Sequence, residues 1–151
     1  AENKIRVIKS NFYNPELTLK KGIFSKVKPN KNDLKNIKKG IKSLNKINAH
    51  NHVQALVVRE NLIIAKETSK GTKKMLLSIN KDKRNQGILI KFPKKKQDLR
   101  VDLPTVGLDT MKDCKKANIK GIVLKANQNI FIDKKKCIEF VNKNKMFIKT
   151  T

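Results

Sequence analysis

Short apolar segments that recur between helix-like segments constrain the fold of this chain most. Each has about five residues rich in Ile, Leu and Val, which is too short for a buried helix and typical of a buried strand. The predicted strands are residues 5–8, 53–58, 62–66, 87–92 and 121–125, a strand after the Asn-Gln-Asn turn at 127–129, and a terminal strand at 146–149. Arg59-Glu60-Asn61 separates two of these runs and predicts a hairpin.

Helical periodicity fills the intervals between the strands. The clearest pattern has apolar residues at steps of three and four, namely Leu34, Ile37, Ile41, Leu44 and Ile47. Their spacing predicts an amphipathic surface helix. Further helices are predicted in 68–81, 109–118 and 133–145. The expected N-caps are Asn32 or Asp33 for the first helix, Asp109 or Thr110 for the third, and Asp133 for the last.

Alternating strands and helices predict the fold class. A chain of 151 residues suits one domain with a core of its own. We expect residues 1–151 to form a single α/β domain, with a short mixed sheet covered by amphipathic helices.

The chain is very basic, with 37 Lys and Arg against 12 Asp and Glu and a net charge of +25. Such a charge attracts anions: nucleic acid, phosphorylated ligands or an anionic membrane surface. The excess is mostly Lys spread over every segment, with little aromatic content, whereas nucleic-acid binders concentrate basic residues and add aromatics for stacking. Nucleic acid is therefore not the expected partner, and part of the bias is interpreted as compositional drift.

Two cysteines and the absence of targeting signals predict the compartment. Cys114 and Cys137 fall in predicted helices without metal-site spacing, so we expect buried free thiols in a reducing compartment. No segment is apolar enough to span a bilayer, and no signal peptide is recognised. A cytoplasmic location is the expectation.

Residues 91–110, "KFPKKKQDLRVDLPTVGLDT", form the segment that most resembles a site. In an extended segment Arg100 and Asp102 would share one face. Gly107 turns the chain into a helix whose N-terminus, with lysines nearby, attracts anions. A carboxylate beside it can hold Mg²⁺ or orient water. The alternative is an ordinary Arg100–Asp102 ion pair with Asp109 as a simple N-cap.

Other familiar motifs are missing from the sequence. His50 and His52 have no partner at ligand spacing and are interpreted as ordinary surface or core histidines. There is no Walker loop, no nucleophile elbow and no dinucleotide fingerprint.

The segment from residue 87 onward resembles the C-terminal domain of the LpxI-type UDP-2,3-diacylglucosamine pyrophosphatases. The residues that carry this resemblance are Lys91, Pro93, Lys94, Gln97, Asp98, Arg100, Val101, Asp102, Leu103, Pro104, Thr105, Gly107, Asp109 and Thr110. The hairpin "VQALVVRENLIIAKE", the "GT" helix start and the closing strands are similar as well.

The resemblance implies an enzyme that hydrolyses the pyrophosphate of UDP-2,3-diacylglucosamine with Mg²⁺, giving UMP and 2,3-diacylglucosamine 1-phosphate for lipid A. The family has two domains with the ligand between them, and this chain matches the C-terminal one only. We therefore expect an N-terminal domain as partner and an inactive isolated chain. The resemblance implies that Asp102 is the catalytic and metal-binding acid. It places Lys91, Lys94, Arg100, Thr105, Gln54 and Thr72 against the substrate, with Glu67 in the same cleft.

Three positions depart from the family pattern. Lys70, Lys73 and Lys125 stand where acidic residues are common. If any of those acids binds metal in relatives, this chain has lost a ligand. Two alternatives therefore stay open: a catalytically degenerate relative, or a non-enzymatic Lys-rich module that binds nucleic acid or anionic lipid.

Overall fold

The chain folds around a mixed β-sheet, seen in a computed structural model that describes residues 7–48, 53–80 and 85–151. The strands in this part of the chain are β1 (Gly22–Ile23), β2 (Ala55–Arg59), β3 (Leu62–Lys66), β4 (Gly87–Lys91), β5 (Thr105–Val106), β6 (Ile119–Leu124), β7 (Ile130–Phe131) and β8 (Phe147–Thr150). The helices are α1 (Ser10–Tyr13), α2 (Lys31–Asn48), α3 (Gly71–Leu77), α4 (Leu108–Lys116) and α5 (Lys134–Lys143). The α/β fold predicted from the sequence is confirmed.

Six strands form the main sheet in the order β1-β8-β6-β4-β2-β3. The central pairs β4–β6 and β6–β8 are parallel. The pairs β2–β3, β2–β4 and β1–β8 are antiparallel. The predicted hairpin is present: Glu60 and Asn61 join β2 to β3 with positive φ angles of 48° and 60°. Two such residues form the tight turn whose twist matches paired strands.

Two apolar cores lie on opposite faces of the sheet. Alternate residues of β4 divide between them, because successive side chains of a strand point to opposite faces. Ile88 and Ile90 pack under α2, together with Phe92 just beyond the strand. Leu89 belongs to the larger core, which includes residues of α3, α4 and α5. Neighbouring side chains at the end of β4 therefore lie on opposite faces of the sheet.

Helix α2 lies very close to the sheet. A Cβ atom at Gly40 would approach side-chain atoms of Ile90 and Val58 to 2.7 and 2.9 Å. Glycine therefore permits the close approach. None of the helices within the described residues is long and apolar enough to cross a bilayer.

The cap of α2 differs from the prediction. Asn30, not Asn32 or Asp33, accepts the N–H of Asp33 through Oδ1 at 2.9 Å, and Asp33 Oδ2 accepts the N–H of Asn30 at 3.0 Å. This reciprocal arrangement is a capping box. Asp33 also pairs with Lys120 of β6 at 2.9 Å, which joins the helix start to the sheet.

Of the two other predicted caps, the one for α4 was wrong, whereas Asp133 does occupy the N-cap position of α5. Gly107 occupies the N-cap position of α4, so Asp109 and Thr110 lie inside the first turn. Asp133 does precede α5, but its φ of 50° is left-handed and its side chain makes no cap hydrogen bond. Its Oδ2 lies 3.6 Å from Nζ of Lys136 instead.

The strands around the Asn-Gln-Asn turn are both present but do not pair with each other. β6 lies in the main sheet, while β7 pairs in parallel with β5. Val7 and Ile8 adopt no regular structure, and the rest of the predicted 5–8 strand lies outside the described residues. Cys114 and Cys137 are buried and free, as predicted.

Candidate functional site

Several strand ends meet at one edge of the sheet. The parallel strands β4, β6 and β8 all end there. Because β2 runs antiparallel to both β3 and β4, β2 begins and β3 ends at the same edge. Gln54, Glu67 and Lys91 are thereby brought together from distant parts of the sequence. The carboxyl edge of parallel strands is the usual ligand-binding edge of open α/β sheets.

Glu67, just after β3, is the anchor of this edge. Glu67 is only 4% exposed to solvent. Oε1 accepts the hydroxyl of Thr72 at 2.6 Å, and Oε2 accepts the backbone N–H of Gln54 at 3.2 Å. Gly71, with a φ of 82°, makes the turn that brings Thr72 to the carboxylate. A carboxylate held this way links the hairpin to the start of α3.

Lys91 at the end of β4 is buried. Its Nζ donates to the carbonyl oxygen of Thr105 at 3.1 Å. Burial lowers the pKa of Lys91, because the charged ammonium loses hydration, and the negative charge of Glu67 partly opposes this shift. One hydrogen bond leaves two N–H donors of the ammonium for a ligand.

Asn129 holds Lys91 and Thr105 in register, and sequence reasoning missed it. The side chain is buried. Oδ1 accepts the N–H of Lys125 at 2.9 Å, while Nδ2 donates to the carbonyls of Lys91 at 3.3 Å and Pro104 at 3.4 Å. The only sequence signal is an Asn five residues beyond the end of β6, which was interpreted as part of a turn.

Gln54 offers an acceptor at the same edge. Its Oε1 is buried and has no hydrogen-bond partner within the described residues. Buried polar atoms are usually paired, so an unpaired acceptor beside Glu67 suits an N–H or O–H donor of a ligand or a water molecule.

The loop that carries Asp102 is not a strand. Predicted as same-face neighbours on an extended segment, Arg100 and Asp102 lie instead in a turn-rich loop. Arg100 pairs with Asp98, with Nη2 2.8 Å from Oδ2 and Nε 3.0 Å from Oδ1. This pairing lowers the pKa of Asp98 to about 2, chiefly through the guanidinium hydrogen bond.

Asp98 also shapes the chain before Asp102. Its carboxylate accepts the backbone N–H of Arg100 at 3.0 Å, and its carbonyl accepts those of Val101 at 3.2 Å and Asp102 at 2.9 Å. Asp102 is exposed. Asp98 therefore uses both its side chain and its backbone to set the position of the next acid.

The structure thus divides the predicted site residues into two groups. Gln54, Thr72, Lys91 and Thr105 are joined through hydrogen bonds and the charge of Glu67 at the sheet edge. The other group, Lys94, Arg100 and Asp102, lies in the loop that follows β4. Lys94 is half-buried and lines a separate cleft.

The sequence model of the LpxI C-terminal domain matches residues 20–149. The chain belongs to the LpxI C-terminal domain family.

A full-length relative of the LpxI family is the UDP-2,3-diacylglucosamine pyrophosphatase LpxI of Caulobacter vibrioides. It is 31% identical over 141 residues, which cover 88% of this chain and 50% of the relative. The chain therefore spans about half the length of the relative it matches. The resemblance predicted from the motif around Asp102 is confirmed at the level of the family.

The three lysines that depart from the expected LpxI pattern lie at different places. Lys70 precedes α3, and Lys73 lies in its first turn, both exposed to solvent. Lys125 follows β6, with its Nζ 5.6 Å from the centre of the Phe92 ring. None of them takes part in an ion pair among the described residues.

Metal-binding groups are sparse in this LpxI domain. The described residues contain no group of three or more His, Cys, Asp or Glu that could hold an ion. His50 and His52 lie outside the described residues. Asp102 is exposed, and its carboxylate makes no ion pair in the described part of the chain. These donors do not fit an ion enclosed by protein, but they fit Mg²⁺ held by one carboxylate, phosphate oxygens and water.

Proposed function

We propose that this chain is the C-terminal domain of a UDP-2,3-diacylglucosamine pyrophosphatase. Together with an N-terminal domain of the same protein, it would hydrolyse the UDP-linked acylated glucosamine to UMP and 2,3-diacylglucosamine 1-phosphate, a step of lipid A synthesis. The observation that carries this proposal is the match to the LpxI C-terminal domain over residues 20–149, in a chain whose buried Lys91 bonds to Thr105, three residues after Asp102. The proposed location is cytoplasmic, with peripheral contact to the inner membrane.

Positive groups at the edge would bind the diphosphate. The buried ammonium of Lys91 acts in a surrounding of low polarity, where its attraction for phosphate is stronger than in water. Arg100 gives two of its five N–H groups to Asp98, so three remain for phosphate oxygens. Lys94, which lines the separate cleft, would contribute a third positive charge only if the substrate extends to that cleft.

Asp102 is the proposed catalytic acid. Mg²⁺, when bound through Asp102 and the diphosphate, supplies positive charge that neutralises the phosphate oxygens. Asp102 would orient the attacking water beside the phosphorus. The water oxygen forms a new P–O bond, the bond from that phosphorus to the bridging oxygen breaks, and the bridging oxygen leaves on the other phosphate. The water protons are shared between the solvent and the two phosphate products.

Asp102→Ala in the complete two-domain protein tests this assignment. The fold should persist because the side chain is exposed, and substrate binding should persist because Lys91 and Arg100 remain. UMP release should fall by about 10³-fold or more, since the lost group acts at the chemical step. Near-normal turnover would remove Asp102 from the reaction.

The matched control is Asp109→Ala, an acid whose side chain is 93% exposed and whose neighbour is Lys112. This control should keep turnover and thermal stability. Asp98→Ala is unsuitable as a neutral control, because Asp98 holds Arg100 and the turn before Asp102.

The isolated chain should be nearly inactive. Half of the proposed cleft comes from the N-terminal domain, and reacting groups that are not held in place lose most of their rate advantage. UMP release by residues 1–151 alone should stay near background and should recover when the N-terminal domain is added. Robust turnover by this chain alone would contradict the two-domain mechanism.

The charge of +25 favours a second candidate, a Lys-rich module that binds nucleic acid or anionic lipid. Lys70, Lys73 and Lys125 would then belong to a binding surface of a catalytically degenerate relative. Binding to random DNA whose affinity falls steeply with salt, without UMP release by the complete protein, would favour this candidate.

A further inference from the structure

Asn129 is a buried amide at the point where three segments of the site edge meet. The residue is 3% exposed and lies just before β7. Its side chain contacts the N–H of Lys125, which follows β6, and the carbonyls of Lys91, which ends β4, and Pro104, which precedes β5. One side chain therefore joins the ends of two sheet strands to the segment that follows Asp102.

The amide group of Asn129 uses its full hydrogen-bonding capacity on backbone atoms. An asparagine has two N–H donors and a carbonyl oxygen that accepts. Oδ1 takes the N–H of Lys125 at 2.9 Å, while Nδ2 lies 3.3 Å from the carbonyl oxygen of Lys91 and 3.4 Å from that of Pro104. An apolar side chain of the same shape could fill this space but could not join the three backbone groups.

The contact with Pro104 limits where Asp102 can lie. Proline has no N–H, so the start of β5 can be held at this residue only through its carbonyl. That carbonyl accepts the N–H of Ile130 at 3.0 Å in addition to the amide of Asn129. Asp102 lies two residues earlier, and its own N–H bonds to the carbonyl of Asp98 at 2.9 Å. Backbone contacts on both sides of Asp102 thus restrict its carboxylate.

The contact with Lys91 serves the other half of the proposed site. The ammonium of Lys91 bonds to the carbonyl of Thr105 at 3.1 Å, so it also ties β4 to β5. This ammonium is the group proposed to bind a phosphate, and a phosphate oxygen would compete for its N–H groups. Asn129 holds the backbone of Lys91 instead, so its contact persists when the ammonium turns to a ligand.

We propose that Asn129 is a positioning residue that sets the spacing between Asp102 and the Lys91 ammonium without touching the substrate. This inference rests on the proposed function, in which Asp102 is the catalytic acid. A misplacement of about 1 Å between reacting groups lowers a rate by about 10²-fold. Substrate binding depends less on that spacing, so the expected signature is a loss of kcat with KM nearly unchanged.

Two variants of similar shape test the proposal in the complete two-domain protein. Asn129→Leu removes all three hydrogen bonds, whereas Asn129→Asp keeps an acceptor for the N–H of Lys125 but has no donor for the two carbonyls. Both should lower kcat for UMP release by about 10²-fold and change KM by less than about threefold. Unchanged kcat in either folded variant would overturn the proposal, and either variant alone decides it if the other does not fold.

The matched control is Asn36→Leu at the opposite edge of the sheet. Asn36 is also buried, at 7% exposure, and its Oδ1 accepts the N–H of Asn61 at 2.7 Å in the turn between β2 and β3. Its replacement removes a shorter hydrogen bond of a buried amide and should leave kcat unchanged. Equal losses of kcat in Asn36→Leu and Asn129→Leu would assign the effect to lost stability and would overturn the proposal.

Amide hydrogen exchange of residues 1–151, followed by NMR, reports the anchoring without any turnover. Asn129→Leu should speed exchange at residues 99–103 by about tenfold, because the loop loses an attachment, and Asn36→Leu should not. Unchanged exchange there would overturn the proposal. Near-normal turnover of Asp102→Ala would refute the proposed function, whereas normal kcat in Asn129→Leu beside an inactive Asp102→Ala would refute the positioning role alone.

Discussion

Glu67 should be the most sensitive polar residue at the sheet edge. In Glu67→Ala the Thr72 hydroxyl and the Gln54 N–H both lose their acceptor, and Lys91 loses its nearby negative charge. Each charge-assisted hydrogen bond contributes about 1.5–3 kcal/mol to stability. Removal of the carboxylate also removes the desolvation cost of burying its charge, which offsets part of that loss. We expect the free energy of unfolding to fall by about 3 kcal/mol.

Glu67→Gln should be much milder. The carboxamide oxygen can accept the N–H of Gln54, and the amide group can donate to the Thr72 oxygen, so both partners stay satisfied. Only the charge is lost, and we expect a cost of about 1 kcal/mol. The contrast between Ala and Gln therefore reports the hydrogen bonds themselves.

Urea unfolding of this chain, followed by circular dichroism, measures both variants at constant pH and salt. Glu139→Ala is the matched control, because Glu139 is exposed on α5 and makes no ion pair in the described part of the chain. Its effect should lie within about 0.5 kcal/mol. A Glu67→Ala variant as stable as this control would refute the anchoring role of Glu67.

Two further predictions concern the sheet and its buried cation. Gly121→Ala should lower the free energy of unfolding by about 1–3 kcal/mol, because a Cβ atom there would meet the Phe147 ring, whereas Gly22→Ala, with ordinary contacts, should be nearly neutral in the same urea assay. Burial lowers the pKa of Lys91 from its ordinary 10.5, so the unfolded state binds more protons between the two values and stability should rise with pH in that window. The rise of stability with pH should be smaller in Lys91→Met. Identical pH profiles of unfolding in the unchanged protein and in Lys91→Met would contradict this prediction.

Local sequence signals predicted the elements well. The 62–66 strand has the predicted bounds, and β2, β4, β6 and β8 each differ from the predicted bounds by one or two residues at their ends. Helix α2 buries Ile37 and Leu44, as its periodicity indicated, although Leu34 on the same stripe stays 47% exposed. These features depend on residues within one or two turns of each other, so their pattern is visible in the sequence.

The segment of residues 91–110 shows where local patterns fail. Alternation at 99–103 suggested a strand, but Asp98 captures the N–H groups of Arg100, Val101 and Asp102. Asp side chains often bond to nearby backbone in this way and so compete with strand pairing. The ion pair of Arg100 consequently formed with Asp98 and not with Asp102.

The sequence by itself determined the fold class, the family and the loop that carries Asp102. Only the tertiary structure decided that Lys91 is buried against Thr105 and that Phe92 lines a different cleft. It also decided that Asn129 bonds to both the end of β4 and the segment before Thr105. Asn129 bonds to a carbonyl 38 residues away, and Glu67 to an N–H 13 residues away. Helix and strand patterns arise between neighbours in the chain, whereas burial, pairing and pKa depend on which strands the sheet places side by side.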